Sequence, residues 1–216
     1  MGRLGMNYKL LTIVISVMIV MMLLAFIISY YKRKKYLQLV HYLEQQDFIK
    51  FDDEIQRWFI KFLFSQFNIE LLRLKSAILR NDPEMIENCF DTFHHRHLNK
   101  KQKETIWITA FNYYISLENY AGAKRYVDLI NETDNDQMKK EVNRIYDIYA
   151  SKGFRFLEEM LSEVEKMDDT YKGVHEFLIA RMYENKGDQK KADEYKKRSE
   201  KHMKLLDHKI SKQHPQ

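Results

Sequence analysis

The sequence predicts an all-α chain, with an N-terminal transmembrane helix followed by an α-solenoid of about five helical hairpins. Three observations support this fold class. An uncharged run of 22 residues covers positions 10–31. Proline occurs only at Pro83 and Pro215, and no Asn-Gly or Asp-Gly hairpin signal is present. The residues that usually end β-strands and form tight hairpin turns are therefore missing. Turn-forming residues recur at nearly constant steps, with apolar residues three and four apart between them.

The uncharged run has the length and composition of a membrane-spanning helix. At about 1.5 Å rise per residue its 22 residues reach roughly 33 Å, against a hydrocarbon core of about 30 Å. A cleaved signal peptide, the main alternative, has an apolar region of about 7 to 15 residues that ends in a small-x-small site. The run is longer, and its end at Tyr30 and Tyr31 offers no such site. We therefore expect a retained anchor over residues 10–31, preceded by a short flank over residues 1–9.

The run is followed at once by four consecutive cations, which are Lys32, Arg33, Lys34 and Lys35. Only Arg3, Lys9 and the terminal amine precede it, and the more basic flank of a span tends to stay in the cytoplasm. We therefore expect a single-pass membrane protein with a cytoplasmic C-terminal domain. The four cations are also predicted to contact anionic lipid, where each contributes about 1 kcal/mol. The alternative is that they determine topology only.

Turn-like positions divide the rest of the chain into units of similar length. If Asp47, Asp82, Glu118, Gly153 and Gly187 are equivalent, the steps between them are 35, 36, 35 and 34 residues. A period near 34 with two helices per unit indicates a solenoid of helical hairpins.

Apolar residues between the turns follow the spacing of amphipathic helices. One stripe contains Phe48, Phe51, Ile55, Phe59 and Phe62. Such a stripe predicts a helix that packs in the core.

The same patterns predict the domain organisation. A basic juxtamembrane segment and the first hairpin occupy residues 32–65, a repeat domain occupies residues 66–205, and a disordered basic tail occupies residues 206–216. No glycine or proline occurs at the start of the juxtamembrane segment, directly after the apolar run. The span is therefore predicted to run unbroken into the leading helix of the first hairpin.

Two of the units resemble the tetratricopeptide repeat (TPR) family. In the unit around Glu118, the family's two aromatic positions and its small position are matched by Trp107, Tyr114 and Ala123. The last unit matches the pattern at Ala180, Tyr183, Gly187 and Ala192, with Glu176 where the family has Trp. The resemblance covers about residues 70–205 and implies a TPR-like solenoid. The small residues let neighbouring helices approach closely.

In TPR-like folds the first helices of successive hairpins line a concave surface that binds protein. Carried onto this chain, the resemblance implies a protein-binding groove formed by Ile108, Asn112, Asn143, Asp147, Phe177 and Arg181. This mixture of amide, apolar and charged groups suits an extended peptide or a partner helix. The alternative is that these residues only face water.

No pattern in the sequence predicts an enzyme, and no cofactor is expected. His94 and His97 could share a helical face, but no Cys-x-x-Cys or second His pair completes a zinc site. Cys89 stands alone in an apolar stretch, as a small buried hydrophobe would. Gly-rich phosphate loops, nucleophile elbows and dinucleotide fingerprints are missing. A catalytic site and a metal site are therefore not predicted.

Charge distribution disfavours nucleic acid as a partner. The net charge of +5 comes from the ends of the chain, while residues 36–185 carry −6. The cations of residues 186–216 are interleaved with acidic residues, so no clear phosphate-binding stripe forms. The leading hypothesis is a membrane-anchored TPR-like scaffold or adaptor that binds a protein or peptide near the bilayer. The alternative is a structural or regulatory subunit of a membrane complex, with contacts made through the span.

Overall fold

The structure, a computed structural model, describes residues 8–213 of the chain. That part contains eleven α-helices and no strand, which confirms an all-α fold with a candidate span near the N-terminus. The helices are α1 (Tyr8–Glu44), α2 (Phe48–Gln56), α3 (Trp58–Leu63), α4 (Gln66–Arg80), α5 (Pro83–His94), α6 (Lys100–Ser116), α7 (Tyr120–Asn131), α8 (Asp136–Tyr149), α9 (Leu157–Glu165), α10 (Asp169–Lys186) and α11 (Gln189–Gln213). The predictions for residues 1–7 and 214–216 lie outside the described residues.

The chain divides into two compact units, which are unit 1 (Met1–Leu98) and unit 2 (Asn99–Gln216). The boundary predicted at residues 65–66 falls instead inside unit 1, between α3 and α4. The reason is a shared core, since Ile69 of α4 is buried in the same cluster as Leu39 of α1 and Phe51 of α2. Helices α4 and α5 therefore belong to unit 1.

Helix α1 carries the apolar run and continues past it without a break. It has 37 residues, and its sequence contains neither glycine nor proline. Its most apolar stretch is long enough to cross a membrane, and none of that stretch is buried against the described chain. Leu39, in the core of unit 1, is the first fully buried residue of α1 after the apolar run. The predicted continuity between the apolar run and the first hairpin is confirmed.

Each of the five predicted hairpin turns contains a residue in the left-handed conformation. These residues are Gln46, Asn81, Glu118, Lys152 and Gly187, with φ of 54°, 53°, 55°, 51° and 84°. Their separations of 35, 37, 34 and 35 residues confirm the predicted spacing. Side chains other than glycine rarely adopt this conformation, so the four non-glycine residues mark places where the backbone must reverse.

Four of the five turns share one hydrogen-bond pattern. The left-handed residue is followed directly by Asp47, Asp82, Asn119 or Asp188. The N–H of this second residue donates to the carbonyl five residues back, at 2.8–3.1 Å, which closes the preceding helix. Its side chain accepts from the N–H three residues ahead, which caps the next helix. Two adjacent residues therefore end one helix and start the next.

The fourth turn is built differently. Gly153 follows the left-handed Lys152, so no capping side chain is present at that position. Asp147 takes over part of this role, because its carboxylate accepts a hydrogen bond from the N–H of Arg155 at 3.2 Å. A Cβ at Gly153 would lie 2.4 Å from this carboxylate, which explains why a glycine stands there. Helix α9 begins only at Leu157, without a side-chain cap.

The apolar stripe predicted as one helix forms two helices. Helix α2 ends at Gln56, and Arg57 adopts an extended conformation (φ −59°, ψ 138°) before α3 begins. Phe51 and Ile55 are buried, as the stripe predicts, but Phe62 is 71% exposed. The core prediction is therefore wrong for Phe62, because after the break Ile60 and Leu63 are the residues of α3 that lie in the core, and Phe62 lies on another face of the helix.

Unit 2 contains three stacked hairpins, formed by α6 with α7, α8 with α9, and α10 with α11. Helix α7 packs on α8, and α9 packs on α10. The first helices of the hairpins also touch in order, α6 with α8 and α8 with α10. One buried cluster surrounds Phe111 and Ile130, and a second surrounds Met160 and Met182.

The last helix is longer than predicted. Helix α11 extends to Gln213, although the sequence predicted disorder from residue 206 onward. No glycine or proline occurs between Gly187 and Pro215, so nothing in the sequence stops the helix earlier. Residues 206–213 are therefore helical.

Candidate protein-binding groove

Unit 2 has a cavity of about 800 Å³ along the first helices of its three hairpins. Its walls come mainly from α6, α8 and α10, with further residues from α9 and from the turns. The apolar part of the lining includes Ile115, Ile145, Tyr149, Val174, Phe177 and Leu178. The volume falls within the range of about 300–1,000 Å³ that is usual for binding pockets. We refer to this cavity as the groove.

Helix α10 exposes apolar side chains to the groove. Val174 is 55% exposed and Phe177 is 40% exposed, whereas Ile179 and Met182 on the same helix are fully buried. Two sides of α10 are therefore apolar, and only one of them is covered by the unit's own core. Exposed apolar side chains at a concave surface provide area that another molecule can cover.

The structure brings together three of the six residues predicted for a protein-binding groove. Asn112, Phe177 and Arg181 line the groove, whereas Ile108, Asn143 and Asp147 are absent from its lining. A binding role for any of the six stays a prediction.

The three residues outside the groove have structural contacts of their own. The Asn143 amide nitrogen donates to Oδ1 of Asn131 at 2.7 Å and joins α8 to α7. Asp147 holds the fourth turn, and Ile108 packs against the buried cluster of the α6–α7 hairpin. These contacts account for the residue types at the three positions.

A register error of one residue does not explain the misplacement on α8. The predicted register took Gly153 as the equivalent of Glu118 and Gly187, but the left-handed residue of the fourth turn is Lys152. The register shifted by one residue would select Val142 and Tyr146, which belong to the buried cluster around Phe111 and are absent from the lining of the groove. Arg144 and Ile145 line the groove instead, and sequence reasoning missed both. The turn sequence does not identify them, because α8 packs between α6 and α10 and these long-range contacts decide which of its faces meets the groove.

Ion pairs between α8 and α9 support one wall of the groove. Arg144 Nη2 lies 2.8 Å from Glu163 Oε1 and 3.2 Å from Glu159 Oε1, and Lys140 contacts both carboxylates. The hydrogen bond from Arg144, aided by Lys140, lowers the pKa of Glu163 to about 2. Hydrogen bonding to Lys140 likewise lowers the pKa of Glu159. These groups therefore stay charged at neutral pH and hold α9 against α8.

Arg181 is positioned on the groove wall by two neighbours. Its Nη1 donates to Oε2 of Glu184 at 2.7 Å, and its guanidinium lies 5.7 Å from the centre of the Tyr149 ring. Lys196 also contacts Glu184 and is the main cause of the lowered pKa of that carboxyl. The guanidinium is thus held in place beside an aromatic ring, an arrangement that suits Arg for binding carboxylates or peptide groups.

The four predicted membrane-surface cations have different surroundings in unit 1. Lys32, Arg33 and Lys34 are exposed. Lys35 is partly buried, and its Nζ lies 2.5 Å from Oε1 of Glu54 in α2. Three of the four side chains are therefore exposed, and their contact with lipid stays a prediction, while Lys35 joins α2 to α1.

The residues considered for catalysis or metal binding have ordinary surroundings. Within residues 8–213 no group of three or more His, Cys, Asp or Glu side chains could hold a metal ion. His94 and His95 are exposed at the end of α5, where their rings contact each other. Burial raises the pKa of the Cys89 thiol, which disfavours the reactive thiolate.

Comparisons of the chain with protein-family models, curated proteins and solved structures gave no match. The resemblance to TPR proteins therefore rests on residue pattern alone and stays a prediction. The small residues that support it, Ala123, Ala180 and Ala192, are all fully buried, as close helix packing requires.

Proposed function

We propose that this chain is a membrane-anchored scaffold whose groove binds a segment of a partner protein near the bilayer. The observation on which the proposal rests is the groove itself. It combines exposed apolar side chains on α10 with fixed charged groups on its walls. No covalent chemistry is required of any of its residues.

Anchoring through α1 is the first part of the proposal. The exposed apolar stretch of this helix needs a covering that the described chain does not provide. A bilayer would cover it, because the stretch has the length of the hydrocarbon core. Since α1 runs unbroken into unit 1, the anchor would hold that unit next to the membrane without a flexible linker.

The orientation of the anchor follows from its flanking cations. We expect the C-terminal domain in the cytoplasm, because four cations follow the apolar run. Protease added to sealed cells or right-side-out vesicles should spare a C-terminal epitope tag. Digestion of the tag without detergent would contradict this orientation.

The groove favours a partner segment of mixed character. Val174 and Phe177 would contact apolar side chains spaced along a helix or an extended strand. Arg181 and Lys152 offer cations at the wall, and Glu118 offers a carboxylate, so polar groups can flank the apolar anchors. This combination matches recognition of an amphipathic peptide segment rather than of a single small ion.

Loss of two groove side chains should weaken partner binding. We expect Phe177→Ala combined with Arg181→Ala to lower affinity about tenfold or more, because buried aromatic and Arg anchors dominate protein interfaces. The measurement is quantitative recovery of crosslinked partners after affinity purification of the tagged full chain from membranes.

A matched control separates the groove from the rest of the surface. Leu205→Ala combined with Arg125→Ala removes one exposed apolar side chain and one arginine that do not line the groove. Recovery should match wild type for this control. If the groove variant also recovered every partner at the wild-type level, contacts through the span, as in a subunit of a membrane complex, would replace the groove as the explanation.

A further inference from the structure

Unit 1 exposes two large aromatic side chains on its shortest helix. Trp58 is 78% exposed and Phe62 is 71% exposed. They are four residues apart on α3 and therefore share one face, while Ile60 and Leu63 of the same helix are buried in the core of unit 1. We call Trp58 and Phe62 the aromatic pair.

Contacts with α1 fix the height of α2 and α3 above the apolar run. Helix α2 runs back along α1, and the contact between Glu54 and Lys35 lies four residues past Tyr31. At about 1.5 Å per residue, this is about 6 Å beyond the end of the run. The chain then turns at Arg57 into α3, still alongside α1.

A second contact places the end of α3 closer still to the end of the apolar run, about 1.5 Å past Tyr31. Lys32 Nζ lies 5.8 Å from the centre of the Phe64 ring, and Phe64 directly follows α3. Lys32 is the first residue after the uncharged run. The headgroup layer on each side of a bilayer is about 5 to 7 Å thick, so α3 lies within that layer when the apolar run occupies the hydrocarbon core.

From this geometry we infer that the aromatic pair is a second membrane contact, inserted into the headgroup layer of the leaflet where α1 emerges. The occupant of this surface is lipid. Trp and Phe are side chains that interfacial segments place at this depth, and Arg33 and Lys34 of α1 and Lys61 of α3 are exposed cations that can contact anionic headgroups. The contact would fix the rotation of unit 1 about α1. The inference rests on the proposed anchoring of α1.

The chain offers a direct probe, because Trp58 and Trp107 are its only tryptophans. Full-length protein with Trp107→Phe is reconstituted into phosphatidylcholine–phosphatidylglycerol vesicles, with or without bromine atoms near the headgroup end of the acyl chains. We expect brominated lipid to reduce the Trp58 emission about twofold or more, because a ring at the interface lies within contact range of the bromines. Trp107→Tyr serves as a second background, and circular dichroism checks that each variant keeps its helicity.

Ile49 provides a matched control within the same unit. It is 84% exposed at the other end of α2, next to the end of α1 at Glu44. That point is about 20 Å past the apolar run, outside the headgroup layer. The triple variant Ile49→Trp, Trp58→Phe, Trp107→Phe should show no quenching by brominated lipid.

The possible results distinguish the membrane contact of α3 from the anchoring of α1 on which it rests. Quenching at position 58 and not at 49 supports the aromatic pair as a membrane contact. If neither position is quenched while the protein resists extraction by alkaline carbonate, the anchor stands and the membrane contact of α3 is wrong. Equal quenching at both positions contradicts the derived heights, and release by carbonate overturns the anchor and the inference together. Shielding of Trp58 from acrylamide only in native membranes would assign the pair to a protein partner instead.

Discussion

Replacing Glu176 by alanine should destabilise unit 2 by about 1–3 kcal/mol, the usual cost of leaving the buried partner of a hydrogen bond unsatisfied. Glu176 is fully buried on α10. Its Oε2 lies 2.5 Å from Nδ1 of His202, and its Oε1 accepts from Nε of Arg198 at 3.1 Å. Both partners are on α11, so the carboxylate joins the last two helices. The measurement is urea unfolding of the full chain in mild detergent, followed by circular dichroism.

The control is an exposed glutamate on α11. Glu200→Ala should change the urea midpoint little, because its side chain lies at the surface. A second variant identifies the cause. Glu176→Leu with His202→Leu should be more stable than Glu176→Ala, since it removes two buried polar groups together and fills the space with apolar atoms. Equal midpoints for Glu176→Ala and wild type would contradict the buried network.

Enlarging Ala123 should cost about 1–3 kcal/mol, the usual penalty for inserting extra methylenes into a packed core. Ala123 is fully buried on α7, in the cluster that includes Phe111, Val127 and Val142. A leucine at this position would push α7 away from α6 and α8, and both neighbouring helices would feel the strain. The same urea titration measures the loss.

Lys201→Leu is the companion variant, because it introduces the same side chain at an exposed position of α11. Its unfolding midpoint should stay close to that of wild type. If both leucine variants proved equally harmless, the helix packing that places Ala123 in the core would be wrong.

Much of the fold was predictable because the turns use local chemistry. An Asp or Asn after the left-handed residue both closes one helix and caps the next, and this pairing is visible in the sequence at four of five turns. The long α1 was predictable for a similar reason, since nothing in its sequence can break a helix. The separate α3 was not predictable, because the break at Arg57 comes without glycine or proline.

The candidate site was only half predictable. Asn112, Phe177 and Arg181 line the groove as the repeat register predicts, whereas Ile108 of the same register packs against the buried cluster. The α8 positions failed for a reason other than the turn, because the register counted from the left-handed Lys152 selects Val142 and Tyr146, which also pack in that cluster. The face of α8 that meets the groove depends on packing against helices far along the chain, which the sequence does not reveal. The burial of Glu176 could not be predicted from the sequence either, because its partners Arg198 and His202 lie 22 and 26 residues further along the chain.

Site-specific photo-crosslinking tests the central claim most directly, namely that the groove of the anchored chain holds a partner segment. A photoreactive phenylalanine analogue is placed at Phe177, in the groove, and in parallel at Leu205, which is similarly exposed (40% and 44%) but outside it. After irradiation of intact membranes, our account predicts a discrete crosslinked protein band from position 177 and none from position 205. The same band from both positions, or no band from 177 in membranes where the tagged chain still co-purifies with partners, would contradict it.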